Sequence, residues 1–146
     1  MEIGGVKLEY LGHSGFLITN GGGKRIAIDP YNVSQGVEKV DLILITHGHY
    51  DHCSIKDIEL LAKKGTIVVV PPDAQSKITR VKDVEMQVMN IGDEFSFGNV
   101  KIETVPAYNM DKEFHPKKEG WVGYLIKFSG VVIYHAGDTD KISEMN

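Results

Sequence analysis

The sequence predicts an α/β fold in which mixed β-sheets are covered by helices. Most of the chain consists of short segments that alternate or run apolar and are separated by glycines, a pattern typical of strands. Two of them, DLILIT (41–46) and TIVVV (66–70), are almost entirely apolar, as in strands covered on both faces. Helical patterns interrupt the strands twice, so the predicted order β-β-β-β-α-β-α-β-β-β-β-β excludes a simple parallel sheet.

The strands are predicted from their apolar patterning and from the turns between them. The first three form an antiparallel meander in which NGGG (20–23) is a hairpin turn, and the last two form a hairpin around a Ser-Gly turn. In order, the predicted strands are VKLEYL (6–11), GFLIT (15–19), KRIAIDP (24–30), DLILIT (41–46), TIVVV (66–70), VEMQVMN (84–90), EFSFG (94–98), NVKIETVPA (99–107), WVGYLIKF (121–128) and VVIYHAGD (131–138).

Two helices are predicted between the strands. The first covers SIKDIELLAKKG (54–65), where Ser54 caps the amino end with Asp57 three residues later and Gly65 marks the carboxyl end. One apolar stripe along this helix consists of Ile55, Ile58, Leu61 and Ala62. A shorter helix is predicted over 73–80 and begins with an aspartate after two prolines.

Composition and charge predict one cytoplasmic domain spanning residues 1–146. The chain has 42% hydrophobic and 25% charged residues, as ordinary globular domains do. The net charge of −4 argues against nucleic-acid or anionic-membrane partners, which are bound through surplus Lys and Arg. No apolar run approaches the ~20 residues of a membrane span. The amino terminus lacks the pattern of a signal peptide, and the single cysteine fits a reducing compartment.

A cluster of ligand-type side chains follows the apolar strand 41–46. In THGHYDH, His47, His49, Asp51 and His52 stand within six positions, and Gly48 lets the backbone turn so that two rings face one ion. Four such residues exceed what one tetrahedral site usually takes from one loop, whereas two adjacent metals accommodate them. A histidine-rich surface loop is the alternative, but such tags do not follow a buried strand and precede a capped helix.

The motif THGHYDH resembles the HxHxDH motif of the metallo-β-lactamase superfamily. Asp29 in IAIDP and Asp138 in YHAGDTD fit the same pattern in the right order, and LEYLGHSGFLI resembles the start of the branch that includes the L-ascorbate 6-phosphate lactonase and N-acylphosphatidylethanolamine phospholipase D families. The resemblance covers nearly the whole chain. It implies an αββα sandwich of two mixed sheets with a dinuclear metal site at one edge. The usual metal is zinc, and manganese or iron would tolerate the same ligands.

The resemblance also implies a role for each residue of the motif. His47 and His49 would bind the first metal, and Asp51 and His52 the second. Asp138 would bridge both ions, since a carboxylate offers two oxygens and a charge. Asp51 and Asp138 are therefore the expected catalytic carboxylates, Asp51 because it is placed to accept a proton from the bridging water.

Two further positions of this pattern have alternatives. Related families place the third histidine of the first metal after a PA strand end, where this chain has Asn109, and His115 follows six residues later. We favour His115 as the ligand because a zinc–amide bond is poor; an exposed loop histidine is the alternative. Asp29 is expected to orient the metal loop through hydrogen bonds rather than merely to start an Asp-Pro turn.

The remaining candidates have weaker signals. His13, on a tight turn, is either a substrate contact or second-layer hydrogen-bond donor, or an ordinary turn residue. His135, in mid-strand, is expected to be buried and hydrogen-bonded rather than a ligand. Cys53 is expected to be a small buried hydrophobe. Trp121 and Tyr124 are expected to pack the sheets rather than bind substrate.

The reaction class expected from such a site is hydrolysis. Two adjacent ions yield hydroxide near neutral pH, polarise the electrophile and stabilise the developing oxyanion. The bonds open to this chemistry are ester, lactone, amide, thioester and phosphodiester bonds of a small-molecule substrate. Two other classes stay open. One is a non-catalytic metal-binding or regulatory protein derived from such a hydrolase; the other is a nuclease of the same superfamily, which the acidic balance disfavours.

The chain ends early for a member of this superfamily. Members run on past the position of Asp138 to a last histidine that completes the second metal site, whereas this sequence stops eight residues later. We therefore expect a fragment of a longer protein, whose last sheet has an unpaired edge. The alternatives are a missing part supplied by another chain, as in a homo-oligomer, or a protein that keeps one metal.

Overall fold

The computed structural model describes twelve stretches of the chain together with residue 81. They are residues 2–3, 6–12, 15–19, 24–31, 38–46, 54–79, 83–90, 92–97, 100–106, 122–128, 131–135 and 142–145. Two β-sheets and three short helical segments make up these stretches. No helix within them is long and apolar enough to cross a membrane.

The first sheet has seven strands that lie in the order of the chain. They are β1 (Glu2–Ile3), β2 (Val6–Gly12), β3 (Gly15–Thr19), β4 (Arg25–Ile28), β5 (Val40–Leu44), β6 (Ala62–Val70) and β7 (Glu85–Val88). Strands β1 to β4 pair antiparallel, which confirms the predicted meander. Strands β4 to β7 pair parallel, so the carboxyl ends of these four strands lie at one edge.

The second sheet has five antiparallel strands in the spatial order β12-β11-β10-β9-β8. They are β8 (Glu94–Phe97), β9 (Val100–Pro106), β10 (Val122–Phe128), β11 (Val131–His135) and β12 (Ile142–Met145). The sequence did not predict β1 or β12. Strand β12 pairs antiparallel with β11 and is the outermost described strand on that side of the sheet. His135 is the last residue of its strand rather than a mid-strand residue.

Helix α1 (Ile55–Leu61) begins as predicted and ends earlier. The Ser54 side chain caps it, accepting a hydrogen bond from the Asp57 N–H. The predicted end at Gly65 is wrong, because Ala62 is already extended and opens strand β6. Thr66 is the cause: its hydroxyl accepts from the Lys63 N–H at 2.9 Å and donates to the Val40 carbonyl at 2.8 Å. These tertiary bonds draw residues 62–66 into the sheet.

The second helical region is a 3₁₀ turn (Pro72–Ala74) followed by α2 (Gln75–Ile78). It lies within the predicted range except at its start, which is Pro72 rather than Asp73. Neither segment has a side-chain hydrogen bond at its amino end. Proline starts the turn instead, since its fixed φ suits the first helical position and its missing N–H is not needed there.

Alternation along the strands divides the apolar residues into two cores. Ile26 and Ile28 of β4 face the second sheet, whereas Ala27 between them faces the helices. The inter-sheet core also contains Ile18, Leu42, Leu44, Val69, Met89, Val100, Ile102, Tyr124, Ile126, Val131 and Ile133. The other core joins the seven-stranded sheet to Ile58, Leu61, Ala74 and Ile78 of the helical segments. The predicted α/β fold of two packed sheets with covering helices is confirmed, although the described helices cover only the seven-stranded sheet.

A carboxylate links three neighbouring strands at the amino end of the parallel region. Asp41 of β5 accepts from the backbone N–H of Arg25 in β4 at 2.9 Å and lies 2.8 Å from Lys63 Nζ in β6. Partial burial opposes the charged carboxylate, yet these donors outweigh it and lower the pKa of Asp41 below its ordinary value. Asp41 therefore binds its proton more weakly in the folded than in the unfolded chain.

We expect Asp41→Asn to lower the free energy of unfolding at pH 7 by about 1 kcal/mol, because a neutral amide loses the charge-assisted bond to Lys63. The contribution of Asp41 is present above its unfolded pKa of about 3.9 and is lost as the pH falls through the lower folded value. Urea unfolding of Asp41→Asn and of the parent chain, at pH 7 and at pH 3, measures the difference in their free energies of unfolding. Glu38→Gln, at an exposed acid nearby, is the matched control. A difference between Asp41→Asn and the parent chain that is the same at both pH values would contradict the assignment.

Candidate metal centre

The predicted metal motif begins directly after a parallel strand whose end is fully buried. Strand β5 ends at Leu44, and Ile45 and Thr46 lead into His47. Asp29 follows β4, the parallel neighbour of β5, in the same way. The carboxyl ends of adjacent parallel strands meet at one edge of a sheet, where ligands reach side chains. Asp29 and Thr46 are both 0% exposed there.

The carboxylate of Asp29 binds Thr46 through both of its oxygens. The Thr46 N–H donates to Oδ1 at 2.8 Å, and the Thr46 hydroxyl donates to Oδ2 at 2.6 Å. The Asp29 N–H in turn donates to the Leu44 carbonyl at 2.9 Å. Asp29 adopts a φ of 45°, in the left-handed region that aspartate tolerates better than most residues. These bonds hold the backbone one residue before His47. That Asp29 thereby orients a metal-binding loop stays a prediction.

Ile45 is held from two other directions. Its N–H donates to the Val69 carbonyl of β6 at 2.9 Å, which continues the parallel ladder past the end of β5. Its carbonyl accepts a hydrogen bond from the Tyr124 hydroxyl of the second sheet at 2.6 Å. Tyr124 is 0% exposed and belongs to the inter-sheet core, so the expectation that it packs the sheets is confirmed.

The contact between Tyr124 and Ile45 brings the ends of several strands together. In β10, Tyr124 lies opposite Thr104 of β9 and His135 of β11. Both neighbours are near the carboxyl ends of their strands, which close at Pro106 and His135. The strand ends that precede the predicted site residues therefore lie at one shared edge of the two sheets: β4 precedes Asp29, β5 the HxHxDH motif, β9 Asn109 and His115, and β11 Asp138.

The downstream side of the motif is also anchored. The Ser54 hydroxyl donates to Asp57 Oδ2 at 2.6 Å, and Asp57 in the first turn of α1 is 4% exposed. Helix α1 packs its apolar face on the seven-stranded sheet through Ile58 and Leu61. Residues 47–53 consequently run between two fixed points, the Asp29–Thr46 contact and the Ser54 cap.

Of the predicted site residues, Asp29 alone lies among those whose side chains the structure describes. The other predicted site residues lie outside the described residues: His13, His47, His49, Asp51, His52, His115 and Asp138. The same holds for Cys53, Trp121 and the alternative ligand Asn109, and only the backbone of His135 is described. Within the described stretches, no group of three or more His, Cys, Asp or Glu side chains is placed to hold a metal ion. The ligand assignments therefore stay predictions.

The donor types that the sequence places after these strands fit a metal site in their chemistry. Imidazole and carboxylate donors suit divalent metals of intermediate softness, and the backbone that presents the first of them is held by a buried, doubly bonded carboxylate. The sequence reasoning missed Thr46 and Tyr124. Thr46 was detectable as the one hydroxyl at the end of the apolar run 41–46, whereas nothing local marks Tyr124 as a partner of Ile45.

Comparison with known proteins shows the family to which the chain is similar. A sequence profile described as Beta-lactamase superfamily domain matches residues 7–146. A UPF0173 metal-dependent hydrolase of Thermococcus kodakarensis is 37% identical over 148 residues, which cover 96% of this chain and 64% of that protein. The chain thus spans about 64% of the length of this relative.

Solved structures with the same arrangement of sheets are also similar. One is the crystal structure of a Parabacteroides distasonis protein assigned as a metal-dependent hydrolase, with a TM-score of 0.80 and 31% identity over 92% of this chain and 61% of the other. Another is Igni18, a metallo hydrolase from Ignicoccus hospitalis, with a TM-score of 0.66 and 28% identity over 92% and 61%. With its two packed sheets, its HxHxDH sequence and this family match over nearly its whole length, the chain belongs to the metallo-β-lactamase superfamily.

Proposed function

We propose that the protein is a metal-dependent hydrolase that cleaves an ester, lactone or phosphodiester bond of a small substrate. Family membership over residues 7–146 supports this, as do relatives that carry the name metal-dependent hydrolase. Their names specify neither substrate nor bond. The proposal concerns the activity of the whole protein, and we assign residues 1–146 to the N-terminal and central part of a single metallo-β-lactamase-like domain.

The observation that carries the proposal is the Asp29–Thr46 contact. A fully buried carboxylate has both oxygens engaged by one residue, and that residue directly precedes the first predicted ligand. Burying a charge is costly unless it is well paired, so a fold keeps such a contact where position matters. Orienting ligands through buried hydrogen bonds is how proteins tune metal sites.

The proposed ligands divide between two ions, zinc by default with manganese or iron as alternatives. His47, His49 and His115 would hold the first ion, Asp51 and His52 would hold the second, and Asp138 would contribute to both. Such ions would supply Lewis acidity and would lower the pKa of a bound water to near 7. The Asp51 carboxylate would be the proton acceptor, and the contact between Asp29 and Thr46 would hold the backbone before the ligand loop.

We expect His49→Ala and His115→Ala each to remove most of the metal that the purified chain retains, because each deletes one nitrogen ligand from a set of few. Asn109→Ala is the matched control and retains it. Metal content by atomic emission after extensive dialysis is the measurement. Unchanged metal content in His49→Ala would contradict the assignment of His49 as a ligand. If Asn109→Ala loses the metal and His115→Ala retains it, Asn109 and not His115 is the third ligand.

We expect Thr46→Val to weaken zinc affinity by roughly 10- to 100-fold, the usual effect of losing a group that orients a ligand. It leaves Asp29 Oδ2 without the Thr46 hydroxyl, so stability falls by about 1–3 kcal/mol as well. Thr46→Ser keeps the hydroxyl and serves as control. Competition titration with a zinc chelator and urea unfolding measure the two effects. Equal zinc affinity in Thr46→Val and Thr46→Ser would remove the orienting role of this contact.

We expect the protein to hydrolyse at least one of three generic probes: a nitrophenyl ester, a γ-lactone or bis(nitrophenyl) phosphate. Activity should disappear on removal of metal with a chelator and return when zinc is added. A chain that binds metal but converts none of the probes would instead favour the non-catalytic metal-binding role. Cleavage of RNA or DNA in preference to these probes would favour the nuclease.

A further inference from the structure

We propose that the Tyr124 hydroxyl is a positioning group for the metal loop, because it replaces a backbone donor that the sheet lacks at the start of the HxHxDH motif. The proposal rests on the proposed function insofar as that loop binds metal. Tyr124 is not a catalytic residue in this scheme. It acts through the carbonyl of Ile45, two residues before His47.

The missing donor follows from the pairing of β5 with β6. In a parallel ladder, a residue that donates to one position of its neighbour accepts from the position two residues further along. Ile45 donates to the Val69 carbonyl, so its own carbonyl would accept from the N–H of residue 71. Residue 71 is proline, which has no N–H. The parallel ladder therefore cannot complete the hydrogen bonding of Ile45.

Tyr124 supplies the donor from the opposite sheet. Its hydroxyl is 2.6 Å from the Ile45 carbonyl oxygen and 3.4 Å from that of Val69, so the short bond goes to the carbonyl that Pro71 leaves without its ladder partner. Phenylalanine would fill the same apolar space without burying a polar atom. The hydroxyl thus has a directed role beyond packing.

Tyr124 also lies beside the strand ends of the second sheet that precede predicted ligands. It lies opposite His135, three residues before Asp138, and opposite Thr104, two residues before the end of β9. One short hydrogen bond therefore joins the strand end that leads to His47 with the strand ends that lead to Asp138 and His115. A site whose ligands come from both sheets requires these ends to keep a fixed separation.

The test compares Tyr124→Phe with Ile126→Val, a small truncation in the same strand and the same core. Two readouts are used: zinc affinity by chelator competition, and amide hydrogen exchange at Ile45 and Thr46 in the metal-free chain. We expect Tyr124→Phe to weaken zinc affinity about tenfold and to speed exchange at both amides. Ile126→Val should leave both readouts as in the parent chain. Pro71→Ala combined with Tyr124→Phe restores an N–H at position 71 and should recover part of the affinity.

The proposal is overturned if Tyr124→Phe binds zinc as tightly as the parent chain, or if its exchange at Ile45 and Thr46 is unchanged. It is also overturned if Ile126→Val weakens zinc to the same degree, because the effect would then be one of stability alone. If the parent chain binds no zinc, manganese or iron, the proposed function fails instead. The exchange measurement on the metal-free chain then decides the role of Tyr124 by itself.

Discussion

The Asp29 carboxylate, fully buried and bonded twice to Thr46, is the interaction on which the candidate site depends. It is possible only because β4 and β5 are adjacent and parallel, so that the residues following each strand lie side by side. The charge would be costly in such surroundings without strong donors, and Thr46 provides one from its backbone and one from its side chain. A threonine after an otherwise apolar strand supplies Asp29 with a side-chain donor that an aliphatic residue at position 46 would lack.

Because Pro71 has no N–H, the hydrogen bond to the Ile45 carbonyl comes from the second sheet. Pro71 follows the last residue of β6 and directly precedes the 3₁₀ turn, and Ala74 of that turn and Ile78 of α2 pack in the helix-side core. The same residue deprives the Ile45 carbonyl of its ladder donor at the edge where the metal motif begins. A buried hydroxyl from β10 supplies that hydrogen bond without extending the ladder, and it adds a polar link to the apolar contacts between the two sheets. The turn after β6 and the position of the strand end before the metal motif are thus linked through the Ile45 carbonyl.

The sequence predicts features that depend on local pattern and misses those that depend on distant partners. Ten strands and the Ser54 cap were detectable from alternation, turn residues and spacing. The end of α1 was not, because Thr66 contacts Val40, which is 26 residues away. The two-residue β1 is too short to show a pattern. For the site, Asp29 was predicted from its place in the family motif, whereas Tyr124 binds a residue 79 positions earlier and carries no local signal.

The parallel strands have a carboxylate at each end, Asp41 at the amino end and Asp29 at the carboxyl end. Asp41 is assigned to stability and Asp29 to the candidate metal centre, because their surroundings differ. Asp41, near the amino end of β5, pairs with a half-exposed lysine and titrates at a pKa below the ordinary range. Asp29 lies beyond the carboxyl end of β4, roughly 13 Å along the strand direction (about four residues at 3.3 Å each), and is closed off from solvent. Acid therefore removes a stabilising charge at the end of the parallel strands opposite to the candidate metal centre, because Asp41 becomes protonated as the pH falls through its lowered pKa.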